Sequence, residues 1–417
     1  LDIINISLFA LLKSISDAQD LISPLLSNHQ QQVAYLSYRL CEKLNMSKNE
    51  QRDTFLAGLV HDIGALSRNE RLEIIEREPM LVNNHAFIGA KLLQEFEPMK
   101  SAALIIKFHH LAWNDGKGSE FYGERVPFGS HIIHLADRVC TMIKPDVNIL
   151  SQIPRIAEYI KERSNTMYVP AIVEAFEELS IEEYIWFDLK AGYPVNKVDV
   201  SNFDIQMLSL DDLLELTQIF SYIIDFRSRF TARHSAGVAN IAKQLAILFD
   251  FPAKECKMML VAGYLHDLGK LAIDNEILEK QGKLSDDEFN QVRSHTYYTY
   301  QLLDSIPELQ EIKEWAAYHH ERIDGKGYPF HIKGDKLSLG SRIMAVADVF
   351  TAITEDRPYR KGMDESHAVK VLNGMVQNGA LAENVVSVLI DNMQMINELR
   401  EQSQVEAARH YESFLQC

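Results

Sequence analysis

Cysteine, basic charge, long apolar runs and strand-like alternation are all scarce in this chain of 417 residues, and each scarcity removes a class of function. The four cysteines, Cys41, Cys140, Cys256 and Cys417, are scattered without paired spacing. That excludes a disulfide framework or a zinc knuckle and fits a reducing, cytoplasmic setting. A formal charge of −17 argues against broad binding to DNA, RNA or an anionic membrane, because those partners reward basic surfaces. An anionic substrate would therefore need a local source of positive charge. The longest early apolar stretch, near Ile3 to Leu12, is too short for a membrane span. It also lacks the basic flank and small-residue cleavage site of a signal peptide. With 24% charged and 47% hydrophobic residues, the composition is that of an ordinary globular protein, and the length suffices for two domains with separate cores.

What is present is a helical rhythm. After His234, the residues Val238, Ile241, Ala242, Leu245 and Leu248 fall on one helical face, and "DFP" at 250–252 ends the run. After His29, Val33, Leu36 and Leu40 lay down a similar stripe. The histidines repeat at fixed spacing: His29 to His61 and His234 to His266 are both 32 residues, and His85 to His109 and His295 to His319 are both 24. "FGSHIIHLADRV" at 128–139 matches "LGSRIMAVADVF" at 339–350, aligning Asp137 with Asp348. Duplication of one all-helical unit explains this pattern. The boundary is expected in "KAGYPVNKVDVSNFD" at 190–204, where Gly, Pro and Asn interrupt two helical patterns, giving domains at 1–195 and 205–417.

The second half offers His234, His266, Asp267, His295, His319, His320 and Asp348 as candidate metal ligands. They sit on separate predicted helices, which a bundle can point into one central site. A single helical histidine is more often a satisfied core residue than a ligand, but seven such positions recurring in order favour a metal centre. His and carboxylate ligands suit iron, manganese, nickel or zinc alike. An Asp beside a His can bridge two divalent ions, and a pair about 4 Å apart would clamp a phosphate and generate hydroxide near neutral pH. Such ions are the positive charge that an acidic protein otherwise lacks.

These residues, with "HDLGK" at 266–270, "HHERIDGKGYP" at 319–329, "VADVFTAI" at 346–353 and "DRPYR" at 356–360, resemble the HD superfamily of metal-dependent phosphohydrolases. The second half, from about residue 225 to 400, looks like its HD-GYP branch. The resemblance implies tandem helical bundles and hydrolysis of cyclic di-GMP or 3',3'-cyclic GMP-AMP to a linear 5'-phosphorylated dinucleotide. It makes the seven residues ligands of two divalent ions, with Asp267 bridging and Asp267 and Lys270 catalytic. It also implies that Lys270, Arg357 and Arg360 meet substrate phosphates, with Arg322, Gly327 and Tyr328 lining the groove. Arginine can fork onto phosphate oxygens, and Gly325 and Gly327 permit close backbone approach while Pro329 stiffens the exit. Some relatives with three metals carry a Glu four residues before the first His, where this chain has Phe230, so a two-metal centre is expected.

The first half keeps His29, His61, Asp62, His85, His109, His110 and Asp137, a possible second metal site. It looks like an HD domain that has lost the rest: Ala65 replaces the lysine of "HDLGK", Leu111 and Ala112 replace Glu321 and Arg322, and no Tyr-Pro or "RPYR" follows. Regulation, contact within a homodimer or a different phosphoester reaction is expected of it. Two other readings stand beside the phosphodiesterase. One is a nucleotide phosphohydrolase of the wider superfamily, which the full Gly-Tyr-Pro string disfavours. The other is a non-catalytic cyclic-dinucleotide receptor, which the complete ligand set disfavours.

Overall fold

A computed structural model of the chain describes residues 5–20, 28–65, 84–203, 206–226, 233–278, 280, 282–356 and 361–415. It is all-α, and strand among the described residues is confined to four two-residue segments. Two of these, Glu120–Phe121 and Glu124–Arg125, form an antiparallel hairpin with Glu120 opposite Arg125. No described helix is long and apolar enough to cross a membrane. Cys41, Cys140 and Cys256 are free and buried, and Cys417 lies outside the described residues.

Two compact units divide the chain, Ser7–Met207 and a second built on Leu208–Cys417. Each centres on a helical pair. In the second, His234–Leu248 packs on Ala253–Leu265, and of the expected stripe Val238, Ile241, Ala242 and Leu245 are fully buried while Leu248 is half-buried. Asp250 takes a positive φ of 57° where that stripe ends, ahead of Pro252. In the first, His29–Lys43 packs on Lys48–Leu59, with Val33, Leu36 and Leu40 buried.

The close approach within each pair is set by the same glycine. A Cβ on Gly263 would stand 2.3 Å from the Ala239 Cα, and one on Gly58 would stand 2.7 Å from the Ala34 Cα. Backbone cannot yield as a side chain can, so glycine is required at both positions. The repeat thus extends from the candidate ligands to the packing beneath them.

The structural division falls after the segment 190–204 in which composition placed it. Val195, Val198 and Phe203 are buried. The Phe203 ring lies 5.5 Å from Tyr38 and 5.7 Å from Phe55, all within the first unit. Gly, Pro and Asn there mark 3-10 turns that return apolar side chains to the first core, so they punctuate the chain without ending the unit.

Candidate metal centre

In the second unit the candidate ligands come from five elements. His234 opens the helix His234–Leu248, and His266 caps the C-terminus of Ala253–Leu265, followed by Asp267. His295 opens His295–Asp304, His319 and His320 follow Gln310–Ala317, and Asp348 sits within Leu339–Thr354. Ligand atoms of His234, His266 and Asp348 lie within 4.8 Å of one another, as do those of His266, Asp267 and His319, and those of His295, His319 and His320.

Three of these rings are held the same way. His266 Nδ1 donates to the Gly263 carbonyl at 2.7 Å, His295 Nδ1 to Val292 at 2.5 Å and His319 Nδ1 to Ala316 at 2.6 Å. Each acceptor is a carbonyl three residues earlier, so the hydrogen must be on Nδ1 and a neutral ring turns a bare Nε2 lone pair inward. Those lone pairs face other acceptors. His266 Nε2 stands 3.3 Å from Asp267 Oδ2, His295 Nε2 stands 3.4 Å from Asp267 Oδ1, and the Nε2 atoms of His295 and His319 are 3.3 Å apart.

Protons do not resolve this confrontation. Burial holds His295 down at about 3 and, with His320 and His266 beside it, keeps His319 well below its ordinary range. Burial opposes charge on Asp267, yet His266 and Lys270 more than offset it and hold the carboxyl well below its usual value. The bare Nε2 atoms of His295 and His319 and the ionised Asp267 carboxylate repel at such distances unless a cation lies among them, so the residues fit a divalent metal. His234 differs. Burial would lower it, but Glu355 and Asp348 raise it to about 10.

The Gly-Tyr-Pro loop folds over this cluster by backbone contact. A Cβ on Gly327 would lie 2.4 Å from the Arg322 amide nitrogen and 2.5 Å from the His320 carbonyl, so only glycine fits. Glu321, 3% exposed, accepts from the Phe330 amide at 2.7 Å and the Ile332 amide at 3.0 Å, which closes the loop. Tyr328 places its ring 5.0 Å from His320. Lys270 Nζ lies 2.5 Å from Asp267 Oδ2, beside the expected bridging carboxylate.

Arg322, expected against substrate, forks onto Asp324 at 3.0 and 2.8 Å and also donates to the Asn378 carbonyl, so its guanidinium braces the loop. Arg357, Arg360 and Phe230 lie outside the described residues.

Sequence reasoning missed two residues here. Glu355 meets His234 Nδ1 at 3.1 Å, and its only sequence signal is its place seven residues after Asp348. Arg293, two residues before His295, lays its guanidinium 4.8 Å from the Tyr328 ring centroid, and no motif flags it.

The first unit repeats the cluster. Asp62, His85, His109 and His110 form one group within 4.8 Å, and His29, His61 and Asp137 another. His61 and His109 again donate Nδ1 to carbonyls three residues back, Gly58 at 2.9 Å and Ile106 at 2.7 Å. Their Nε2 atoms are buried without a directed hydrogen bond. Gly64 is the counterpart of Gly269: a Cβ there would meet the His85 carbonyl at 2.1 Å, and one on Gly269 would meet that of His295 at 1.9 Å.

Comparison with known proteins agrees with this geometry. HD domain profiles match residues 26–142 and 218–382. The chain belongs to the HD-domain family and carries the domain twice. A 3'3'-cGAMP-specific phosphodiesterase of Vibrio cholerae is 29% identical over 89% of this chain and 88% of its own length. A second from the same organism is 32% identical over 70% of this chain and 63% of its own. A cyclic di-GMP phosphodiesterase of Pseudomonas aeruginosa is 41% identical over 44% of each chain. The crystal structure of a cyclic GMP-AMP-specific phosphodiesterase of V. cholerae superposes with a TM-score of 0.65 at 25% identity. That match covers 94% of this chain and 98% of the other. The second HD unit carries the Gly-Tyr-Pro elements, and the first does not.

Proposed function

We propose that the second HD unit hydrolyses a bacterial 3',5'-cyclic dinucleotide, cyclic di-GMP or 3',3'-cyclic GMP-AMP, to a linear 5'-phosphorylated dinucleotide. One observation carries this reading: Asp267 Oδ1, His295 Nε2 and His319 Nε2 converge as bare acceptors beneath the Gly-Tyr-Pro loop. The similar phosphodiesterases of V. cholerae and P. aeruginosa support the substrate class.

The proposed cofactor is a pair of divalent ions held by His234, His266, Asp267, His295, His319, His320 and Asp348, with Asp267 bridging. When bound, the ions would polarise the phosphodiester and supply a water of lowered pKa. Asp267 is held ionised for that bridge, and the carbonyls behind His266, His295 and His319 keep their Nε2 atoms aimed inward. Lys270 steadies Asp267 and brings a fixed cation to the edge where phosphate charge develops. Gly327 and Tyr328 form the groove wall, Arg293 adds a guanidinium beside Tyr328, and Arg357 and Arg360 are proposed phosphate contacts. In the net reaction a water oxygen bonds to phosphorus, the bond from phosphorus to O3' breaks, and O3' takes up a proton. The 5'-phosphate remains on the product.

Residues 205–417 are proposed to carry the chemistry, while the first unit, which ends at Met207, binds metal and regulates. The test incubates metal-loaded full-length protein with each cyclic dinucleotide and resolves the products by mass. A linear dinucleotide is expected. Tight binding of unchanged ligand would replace the enzyme reading with a receptor.

A further inference from the structure

Three ligand histidines of the second unit take their tautomer from a carbonyl three residues earlier, and His234 is held differently. It is the first residue of its helix, and its two nitrogens lie between two carboxylates: Nε2 at 3.0 Å from Asp348 Oδ1 and Nδ1 at 3.1 Å from Glu355 Oε2. Asp348 and Glu355 are seven residues apart, two turns along one helix face, so the second carboxylate arrives behind the ring that the first meets in front. Glu355 is 4% exposed and caps the end of Leu339–Thr354.

Glu355 is itself braced by the helix Met393–Leu415. Gln404 Nε2 donates to Glu355 Oε2 at 3.3 Å, and Arg400 donates to Gln404 Oε1 at 2.6 Å. Gln404 and Arg400 are 7% and 5% exposed. Gly237, one turn beyond His234, makes room: a Cβ there would stand 3.0 Å from both Gln404 Nε2 and Thr351 Cγ2. At the matching place in the first unit, seven residues after Asp137, stands Lys144, which is exposed.

We infer that Glu355 is the positioning residue for His234, fixing its hydrogen on Nδ1 so that Nε2 serves the metal centre, and that the C-terminal helix holds Glu355 in place through Gln404. The inference rests on the metal-centre reading above. A carboxylate behind a ligating imidazole orients the ring and raises its basicity, and losing such a partner typically weakens metal affinity about 10–100-fold. Glu355 acts from behind the ring and not as a ligand.

The experiment titrates Mn²⁺ into metal-free full-length protein and reads free Mn²⁺ by electron paramagnetic resonance. An Asp62→Ala background keeps the first cluster from contributing. Glu355→Ala is expected to weaken the second-unit site about 10–100-fold, whereas Glu355→Gln, which still accepts from Nδ1, stays within about threefold. Gln404→Leu is expected to weaken it several-fold. Affinity unchanged in Glu355→Ala overturns the inference. So does equal loss in Glu355→Gln, which would make Glu355 a direct ligand. If Glu355→Ala does not fold, unchanged affinity in Gln404→Leu overturns it. Mn²⁺ uptake with this dependence on Glu355, in a parent protein that cleaves neither cyclic dinucleotide, would support the inference while refuting the proposed phosphodiesterase.

Discussion

The two HD units hold the same seven ligand types in the same order, yet they differ at the edge where a substrate would enter. In the second, the side chains of His320 and Lys270 are 30% and 24% exposed. In the first, His110 is 5% exposed and Ala65, at the place of that lysine, 1%. Position 134 contributes: His134 is buried with its ring 6.3 Å from His110 and 5.2 Å from Tyr168, where the second unit has the small Ala345. Loop chemistry contributes more. Glu321 fastens two amides of the Gly-Tyr-Pro loop and Arg322 forks onto Asp324, while Leu111 and Ala112 at those places can do neither. The lesson is that ligand geometry and substrate geometry are separable. Backbone carbonyls aim the imidazoles in both units, and a handful of side chains decide whether a phosphate can reach them.

The sharpest test sets the units against each other. His266→Ala or Asp267→Ala should abolish cyclic-dinucleotide turnover, a loss of about 10³-fold or more, with the helical fold retained. His61→Ala should leave turnover within a few-fold. Product analysis with metal content and circular dichroism decides, and abolition by His61→Ala alone would reverse the assignment.

Next in size is Gly327→Ala, whose Cβ meets loop backbone. It should cost about 10²-fold in kcat/KM by displacing the groove wall, whereas Gly118→Ala, equally crowded by the Ala112 carbonyl at 2.1 Å, should not change turnover. Equal losses would mean that the first unit shapes the active groove.

Lys270→Ala should lower kcat/KM by about 10–10²-fold while metal content stays near wild type, because the cation serves the phosphate edge. Metal-free protein from the same preparation would place Lys270 in ligand positioning instead.

Metal loading should also release a proton. At pH 7 His234, held at about 10 after Glu355 and Asp348 outweigh burial, keeps a proton that a metal must displace, whereas His295, at about 3, has none to lose. Affinity should therefore fall as pH falls, by up to about tenfold per unit for one proton. Proton release, followed with an indicator dye during Mn²⁺ titration, measures it, and pH-independent affinity between about 6 and 8 would contradict the His234 geometry.

The smallest effect is expected from the helix caps. Ser47 and Ser285 each form a capping box, with Glu50 and Glu288. Alanine at either should lower the melting temperature by a few degrees and leave turnover unaltered. Unequal shifts would show that the units differ in stability as well as at their sites.

The all-helical class, the duplication and the identity of the fourteen clustered residues were legible in the sequence, because helical periodicity and ligand spacing are local properties that the chain carries whatever it packs against. The domain boundary was less so. Punctuation by Gly192 and Pro194 is ambiguous when the turn that follows, at 194–197, returns Val195 to a core. What only the tertiary structure decided is which charged side chains stand at the His and Asp cluster and which brace the loop over it. Arg322 read as a groove residue and Lys270 as a phosphate contact; the fold shows the first forked onto Asp324 and the second resting on Asp267. Glu355 read as nothing at all and stands behind His234. The physical reason is that a side chain's partner can come from far along the chain, 121 residues in the case of His234 and Glu355, and the short range of a hydrogen bond leaves no trace of that partner in local sequence.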